Sequence, residues 1–433
     1  MSLVDIGLAI LVLWPLYHLI ILVMSVWEAR RARRAAERDD KATVGPRHYW
    51  IVVPCLNEER VVGRTVAAAL DLAPPVGAIS RVLVVDDGSD DGTAAVLAAM
   101  NHPNLFVLRR VAPDARQGKG EALNAAYRAI RDWSRHERLD PADVVIGVID
   151  GDGRGSANML LEVCRALRDP QVGAVQSRVR IHNRDRILGA VQDLEFGSIV
   201  SAAQVLRNAV GSVGLGGNGQ FARLSSLIGL GDAPWSRCLV EDLELGLRLH
   251  LAGVGIRFLP RSVVTQQGVV DPRRLLRQRT RWAQGNLQCV SYVPRLIASR
   301  RVGNTAMIEM LYYLLAPWIN AIGAAAVIGV FGYGAVALLP GGQPAHYVED
   351  WPALLAALGL WAGATVSPGM VWAVAHRMQL RDERLGRMLL AAVVYPIFLV
   401  FGLIATVRAI GRQISRKQTW AKTERLVEEP LPV

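Results

Sequence analysis

Residues 6–27 are apolar at nearly every position, with only His18 and Ser25 polar and no formal charge. That is about the length needed to cross a bilayer. From residue 49 the pattern changes to short β-branched runs separated by helical periodicity. Tyr49-Trp-Ile-Val-Val-Pro54, Arg81-Val-Leu-Val-Val85 and residues 104–109 and 144–149 predict strands, and helical patterning follows Asn57, Ala94 and Gly118. Strands alternating with helices predict a mostly parallel sheet covered by helices, an α/β domain. Further on, residues 172–176 read as a strand and 187–206 as a long helix. Residues 241–250 read as an amphipathic helix whose acids occupy the first turn, where the dipole favours them. Asp271-Pro272 caps a helix carrying Arg273, Arg274, Arg277, Arg279 and Arg281 beside Leu275, Leu276 and Trp282, a composition suited to a membrane interface. Apolar runs return over residues 308–338, 354–375 and 388–410.

Charge orients these segments. The chain has 433 residues and a net charge of +11, from 49 Lys plus Arg against 38 Asp plus Glu. With a mean hydropathy above zero, this describes a membrane protein with a basic cytoplasmic face better than a nucleic-acid binder. Arg30, Arg31, Arg33 and Arg34 follow the first apolar run and only Asp5 precedes it. The positive-inside rule then places the N-terminus outside and the α/β domain in the cytoplasm, at the inner membrane of a multi-pass protein. A secretory signal has its basic residues before the apolar run and a small-residue cleavage site after it, and neither is found here. Residues 341–350 are net acidic and suit the outside; 377–387 and 408–417 are basic and suit the inside. Three simple crossings would leave that basic tail outside. The charges favour a re-entrant last segment bent at Pro396 over a hairpin broken near Pro317. The cysteines, Cys55, Cys164, Cys238 and Cys289, are scattered, which indicates neither a zinc site nor a disulfide framework.

The expected organisation is an N-terminal span (1–27), a basic juxtamembrane linker (28–47), the α/β domain (48–270), an interfacial amphipathic region (271–304), membrane segments (305–410) and a cytosolic tail (411–433).

Candidate chemistry gathers at strand ends. The strand over 144–149 runs into Asp150-Gly151-Asp152, and ligands of open α/β sheets bind just outside the carboxyl ends of strands. Paired carboxylates on a tight turn suit Mg²⁺ or Mn²⁺, which share their shell with substrate phosphates. Read alone, Asp-x-Asp is equally an ordinary turn. Asp86 and Asp87 end the second strand on a glycine turn and can accept hydrogen bonds from a ribose or base. Lys119, in a Gly-Lys-Gly loop before a helix, can meet phosphate or nucleobase oxygens. Glu241 and Asp242 open a helix; as a carboxylate, Asp242 can take a proton from an attacking hydroxyl. Arg281 can clamp a diphosphate, and Trp282 offers an apolar face to a sugar ring. The glycine-rich 214–220 stretch allows close backbone approach to an acceptor.

In this order, Val52-Val-Pro-Cys-Leu-Asn-Glu-Glu59, the run 84–93, Asp150-Gly-Asp152, Val240-Glu-Asp242 and Gln278-Arg-Thr-Arg-Trp282 resemble the membrane-bound family 2 glycosyltransferases. That group includes the bacterial cellulose, hyaluronan, chitin and poly-N-acetylglucosamine synthases. The resemblance covers residues 49–285. It implies a cytosolic GT-A fold with an interfacial helix and about four transmembrane or re-entrant segments, a UDP-sugar donor, inversion at the anomeric carbon, and Mg²⁺ or Mn²⁺. By residue, it implies donor binding by Asp86, Asp87, Lys119, Asp150, Gln278 and Arg281, metal at Asp150 and Asp152, a general base at Asp242, and acceptor contacts from Glu241 and Trp282. The family carries Thr-Glu-Asp where this chain has Val240-Glu-Asp, so the capping hydroxyl is missing and the acid is kept. The residues 420–425, Trp-Ala-Lys-Thr-Glu-Arg, resemble a tail found in many relatives. Processive synthesis of a β-linked glycan is the leading expectation, and transfer of one or a few sugars to a lipid the alternative. A polymer pore built from so few spans would need an export partner or a second copy.

Overall fold

The computed structural model describes residues 16–28, 30, 45–337 and 351–416. Helix α1 (Leu16–Glu28) comes first. The α/β domain follows as β1 (His48–Cys55), α2 (Val62–Leu70), β2 (Ile79–Asp86), α3 (Thr93–Ala98), β3 (Leu105–Arg109), α4 (Lys119–His136), β4 (Val144–Val148), β5 (Arg154–Gly155), α5 (Met159–Ala166) and β6 (Val172–Ile181). It continues through α6 (Ile187–Asp193), a π-helical stretch Leu194–Val200, α7 (Ser201–Val210), β7 (Gln220–Arg223), α8 (Leu224–Ile228), α9 (Glu241–Leu251) and β8 (Gly255–Gln266). Beyond it lie α10 (Pro272–Cys289), α11 (Val293–Ala298), α12 (Asn304–Ala337), α13 (Trp351–Gln379) and α14 (Leu385–Ile414). The linker 31–44 and the Trp420–Arg425 motif fall outside the described residues.

The strands form one eight-stranded sheet in the order β3-β2-β1-β4-β7-β6-β8-β5. β3, β2, β1 and β4 are mutually parallel, β7 runs antiparallel between β4 and β6, and β8 pairs parallel with β6. Val52, Val84, Val85, Val145 and Val148 are buried because helices cover both faces, as continuous apolar strands require. The close β4–β7 pairing needs Gly147: a methyl there would lie 2.1 Å from the Phe221 ring.

Several expectations shift. The acids ending β2 and β4 are not on adjacent strands, since β1 lies between, with Cys55 opposite Asp86 and Val52 opposite Val148. The helix expected from Asn57 begins at Val62. The 187–206 helix extends to Val210 with π winding at its centre. β5, β7 and β8 lack a sequence signal: one has two residues, one a Gln-Phe-Ala-Arg run, and β8 is interrupted by Arg257, Pro260 and Arg261.

The apolar segments dock on this domain. Trp372 donates to His18 at 2.7 Å and Gln379 to Ser25 at 3.2 Å, so α1 and the end of α13 run side by side in the same direction. The α13–α14 turn is clamped by Arg180 and Arg184, which donate to Asp382 at 2.8 and 2.6 Å. α14 is continuous through Pro396, and α12 through Pro317, so neither the re-entrant bend nor the broken hairpin is found. Instead, α14 lies along the domain. Met388, Ala391, Tyr395, Phe398, Ala405 and Ala409 form a buried stripe, and Arg412 near its end donates to Gln284 of α10 at 3.0 Å. Among the described residues, α14 is the one helix long and apolar enough to cross a bilayer by length and composition.

Candidate active site

β4 delivers its chain end to the cavity floor, and the turn that follows separates its two acids. Asp150 is partly exposed there, while Asp152 is 2% exposed and accepts from the Gln267 backbone N–H at 2.9 Å. The Asn218 side chain accepts from the Asp150 N–H at 3.2 Å and donates to Gln266 at 3.0 Å, fixing the turn against β8. Opposite, α4 starts on Gly118, whose φ of 108° favours glycine, and Lys119 points inward. Its ammonium donates to Asp150 Oδ1 at 2.6 Å and to the Gly217 carbonyl at 2.9 Å, and lies 3.5 Å from Glu241. Burial by itself would push Lys119 down, but Asp150, Glu241 and Asp242 together hold its pKa above the usual lysine value.

Asp242 opens α9 with Val240 as N-cap, and no side-chain capping bond forms there. Asp242 Oδ1 accepts from the Leu243 N–H at 2.9 Å. Burial raises the pKa of Glu241 and of Asp242, and the Lys119 ammonium opposes it in both. A buried carboxylate with a raised pKa is a better proton acceptor at neutral pH than an exposed one.

Gly217 marks where these groups meet. A methyl group on it would lie 2.8 Å from Lys119 Nζ, 3.3 Å from Asp242 Oδ2 and 3.9 Å from Asp150 Oδ2. Gln176 holds this loop, accepting from the Gly216 N–H at 2.7 Å and donating to the Asn218 carbonyl at 2.9 Å. The glycine-rich stretch therefore brings backbone close to Asp150 and Asp242.

One cavity of about 640 Å³ joins all of this. Asp87, Lys119, Asp150, Glu241, Asp242, Gln278, Arg281 and Trp282 line it, so the expected residues from distant segments do converge. Asp86 lies beneath, 1% exposed, accepting from the Ser89 N–H at 2.9 Å. Asp87 pairs with the buried Arg110, and burial nevertheless raises its pKa. Arg281 donates to the Leu239 carbonyl at 3.0 Å and has no carboxylate ion pair among the described residues. Toward the apolar helices the cavity is walled by Phe196, Ile199, Val200, Tyr313 and Pro317.

The chemistry of the donor set fits a hard divalent cation bound jointly with a diphosphate. Asp150 holds the Lys119 ammonium on one carboxylate oxygen, Oδ1, in a part-buried contact, and lines the cavity. Among the described residues no group of three or more His, Cys, Asp or Glu forms a protein-only cage. Mg²⁺ needs none, since it is held by one or two carboxylates plus phosphates and water.

The residues missed by sequence reading are Gln176, Arg178, Glu195, Phe196 and Tyr313. Glu195 receives two hydrogen bonds from Arg279, at 2.8 and 2.5 Å, and Arg279 lies 4.6 Å from the Trp282 ring centre. Glu195 sits in the π-helical stretch, a feature frequent at functional sites but without a sequence signature.

A Rossmann-like sheet curled through antiparallel β7, with acids at its strand ends facing an Arg-Trp helix, is the GT-A architecture. Residues 46–285 match the family model described as glycosyltransferase like family 2, and the chain belongs to that family. A β-monoglucosyldiacylglycerol synthase from Trichormus variabilis is 32% identical over 289 residues, covering 63% of this chain and 58% of that protein. A poly-β-1,6-N-acetyl-D-glucosamine synthase from Staphylococcus epidermidis is 28% identical over 238 residues, covering 54% of this chain and 53% of that protein. The match thus spans little more than half the length of these curated relatives. A mannosyltransferase from Pyrobaculum calidifontis, solved with GDP-Man and Mn²⁺, shares the fold at a TM-score of 0.55 and 21% identity, covering 91% of this chain and 99% of that one.

Proposed function

We propose that this protein is an inverting glycosyltransferase that moves a sugar from a UDP-sugar to a hydroxyl of a lipid acceptor at the inner membrane. The observation that carries this reading is the convergence of Asp150, Lys119 and Asp242 on Gly217, in a cavity whose far wall is apolar and formed partly by α12. As the acceptor oxygen attacks the anomeric carbon, Asp242 takes its proton. The bond from that carbon to the diphosphate breaks, and the electron pair leaves with the nucleoside diphosphate. Lys119 and Arg281 meet the growing negative charge. Asp150 would hold Mg²⁺ or Mn²⁺, which supplies electrostatic stabilisation of the leaving diphosphate, while Asp152, expected as a second ligand, is buried, does not line the cavity and braces the turn through the Gln267 N–H. Asp87 and the Asp86 beneath it meet the nucleoside, Gln278 the donor phosphates, and Trp282 with Glu241 the acceptor.

The lipid reading is supported by the Phe196–Tyr313–Pro317 wall and by the glucosyldiacylglycerol synthase relatives. Synthesis of a β-linked polymer is the second reading, favoured by the match to poly-N-acetylglucosamine synthases. For the membrane arrangement, the apolar length of α14 does not by itself decide its path, because both of its ends are held against the domain. α14, resting on the domain near both ends, lies along the membrane face and leaves the basic tail on the domain's side. The outward residues Leu390, Val393, Ile397, Val400, Ile404 and Val407 then face lipid.

The test is incubation of the full chain in lipid with labelled UDP-glucose, UDP-N-acetylglucosamine, UDP-galactose and UDP-glucuronate, with Mg²⁺ or Mn²⁺. A single glycolipid band is expected from one donor. A ladder or excluded-volume product replaces the lipid reading with the polymer one. Absence of metal-dependent UDP release with every donor returns the protein to a nucleotide-binding scaffold.

A further inference from the structure

The cavity holds a second arginine that the reaction above does not use. Arg178 lies on β6, two residues past Gln176, and lines the same cavity, just beyond an irregularity in the β6–β8 ladder. Its Nε is buried with no hydrogen-bond partner, and no carboxylate pairs with it among the described residues. An unpartnered Nε is shared by Arg279 and Arg281, so what sets Arg178 apart from three of its cationic neighbours is the lack of a carboxylate. Arg180 is bound to Asp193 and Asp382, Arg279 to Glu195, and Arg207 to Glu309 at 2.7 Å. Burial, with the charge of Arg180, depresses Arg178 to about 10, and Asp193 and Asp382 offset this only in part. A cation left so exposed to its own desolvation is completed by an anion entering the cavity.

The charged surroundings of Arg178 differ from those of Arg281. Arg281 lies close enough to Glu241 and Asp242 to act on both electrostatically. The charged groups acting on Arg178 are instead Arg180, Asp193 and Asp382, which clamp the α13–α14 turn. The two unpaired arginines therefore serve different parts of one cavity.

We infer that Arg178 is the anion-binding element of an acceptor subsite, and that the acceptor carries a phosphate close to its reacting hydroxyl. This rests on the glycosyltransferase reading for the identity of the acceptor, though not for the binding itself. A phospholipid headgroup and free phosphate share the chemistry, and the test separates them.

The full chain in detergent is titrated calorimetrically with dicaproyl phosphatidylglycerol, dicaproylglycerol and inorganic phosphate. Phosphatidylglycerol is expected to bind at least tenfold tighter than dicaproylglycerol. Arg178→Gln is expected to abolish that preference, and Arg178→Lys to restore it to within about threefold, since a single point charge suffices for phosphate. Inorganic phosphate that competes with phosphatidylglycerol but not with UDP supports the assignment. Displacement of UDP instead makes Arg178 a donor residue and overturns it, as does equal binding of the two lipids by the wild type. If no UDP-sugar is turned over while Arg178-dependent lipid binding persists, the transferase reading falls and only the phosphate-binding role of Arg178 stands. Turnover without such binding overturns this one alone.

Discussion

Arg279 meets Glu195 through parallel hydrogen bonds of 2.8 and 2.5 Å while its guanidinium lies over the Trp282 indole, 4.6 Å from the ring centre. Glu195 belongs to the π-helical stretch and Trp282 to α10, so this pair ties two cavity walls together. The bidentate fork sets both the position and the plane of the arginine, which a lysine cannot reproduce. Arg279→Lys is therefore expected to raise the acceptor KM about tenfold, a loss of about 1.4 kcal/mol. The donor KM should stay within about twofold. Steady-state kinetics with each substrate varied checks this, and equal changes in both KM values would make the pair a general packing contact.

Asp242→Asn removes the proton acceptor and keeps the shape. Transfer should fall by about 10²–10⁴, the range of a general base, with UDP-sugar binding retained. Wild-type turnover in this variant would place the base elsewhere.

The pH profile follows from burial. Because Asp242 is raised above the ordinary carboxylate range, it remains protonated, and inactive as a base, at pH values where an exposed aspartate has ionised. kcat/KM should then rise with pH through a limb lying above that range. Lys119 holds Asp242 down, so Lys119→Gln should move the limb to still higher pH. A limb that stays put or moves down contradicts the assignment.

Gly217→Ala places a methyl 2.8 Å from Lys119 Nζ and 3.3 Å from Asp242 Oδ2. The lysine tip can yield, so the fold should survive with its melting temperature nearly unchanged, while transfer drops at least a hundredfold. Activity near wild type would mean the reacting oxygens pass elsewhere.

If α14 lies along the domain, Ser415→Cys in sealed cells should resist an impermeant maleimide added outside and react once the membrane is opened. Labelling from outside would make α14 a crossing helix.

Much of this site was legible in the chain because its acids sit where glycine turns interrupt apolar strands. Asp87 and Asp150 stand where glycine turns end apolar strands, whereas Asp242 opens a helix and is singled out only by the family resemblance. Arg178 and Glu195 could not be read from the chain. Arg178 shares a strand face with Arg180, and only packing decides that one finds Asp193 and the other an open cavity. Glu195 depends on a winding change with no local signature. The short β5 and β7 and the proline-broken β8 were hidden for the same reason: their pairing is dictated by neighbours distant in sequence.

The interposition of β1 between β2 and β4 sets a fixed gauge. Strand neighbours lie about 4.8 Å apart, so Asp87 and Asp150 are held roughly 10 Å from each other across the sheet. A ligand must be long enough to touch both termini at once. On the proposed function, the base, ribose and two phosphates of a nucleotide-sugar span that interval, and the sheet sets the distance over which the donor is held.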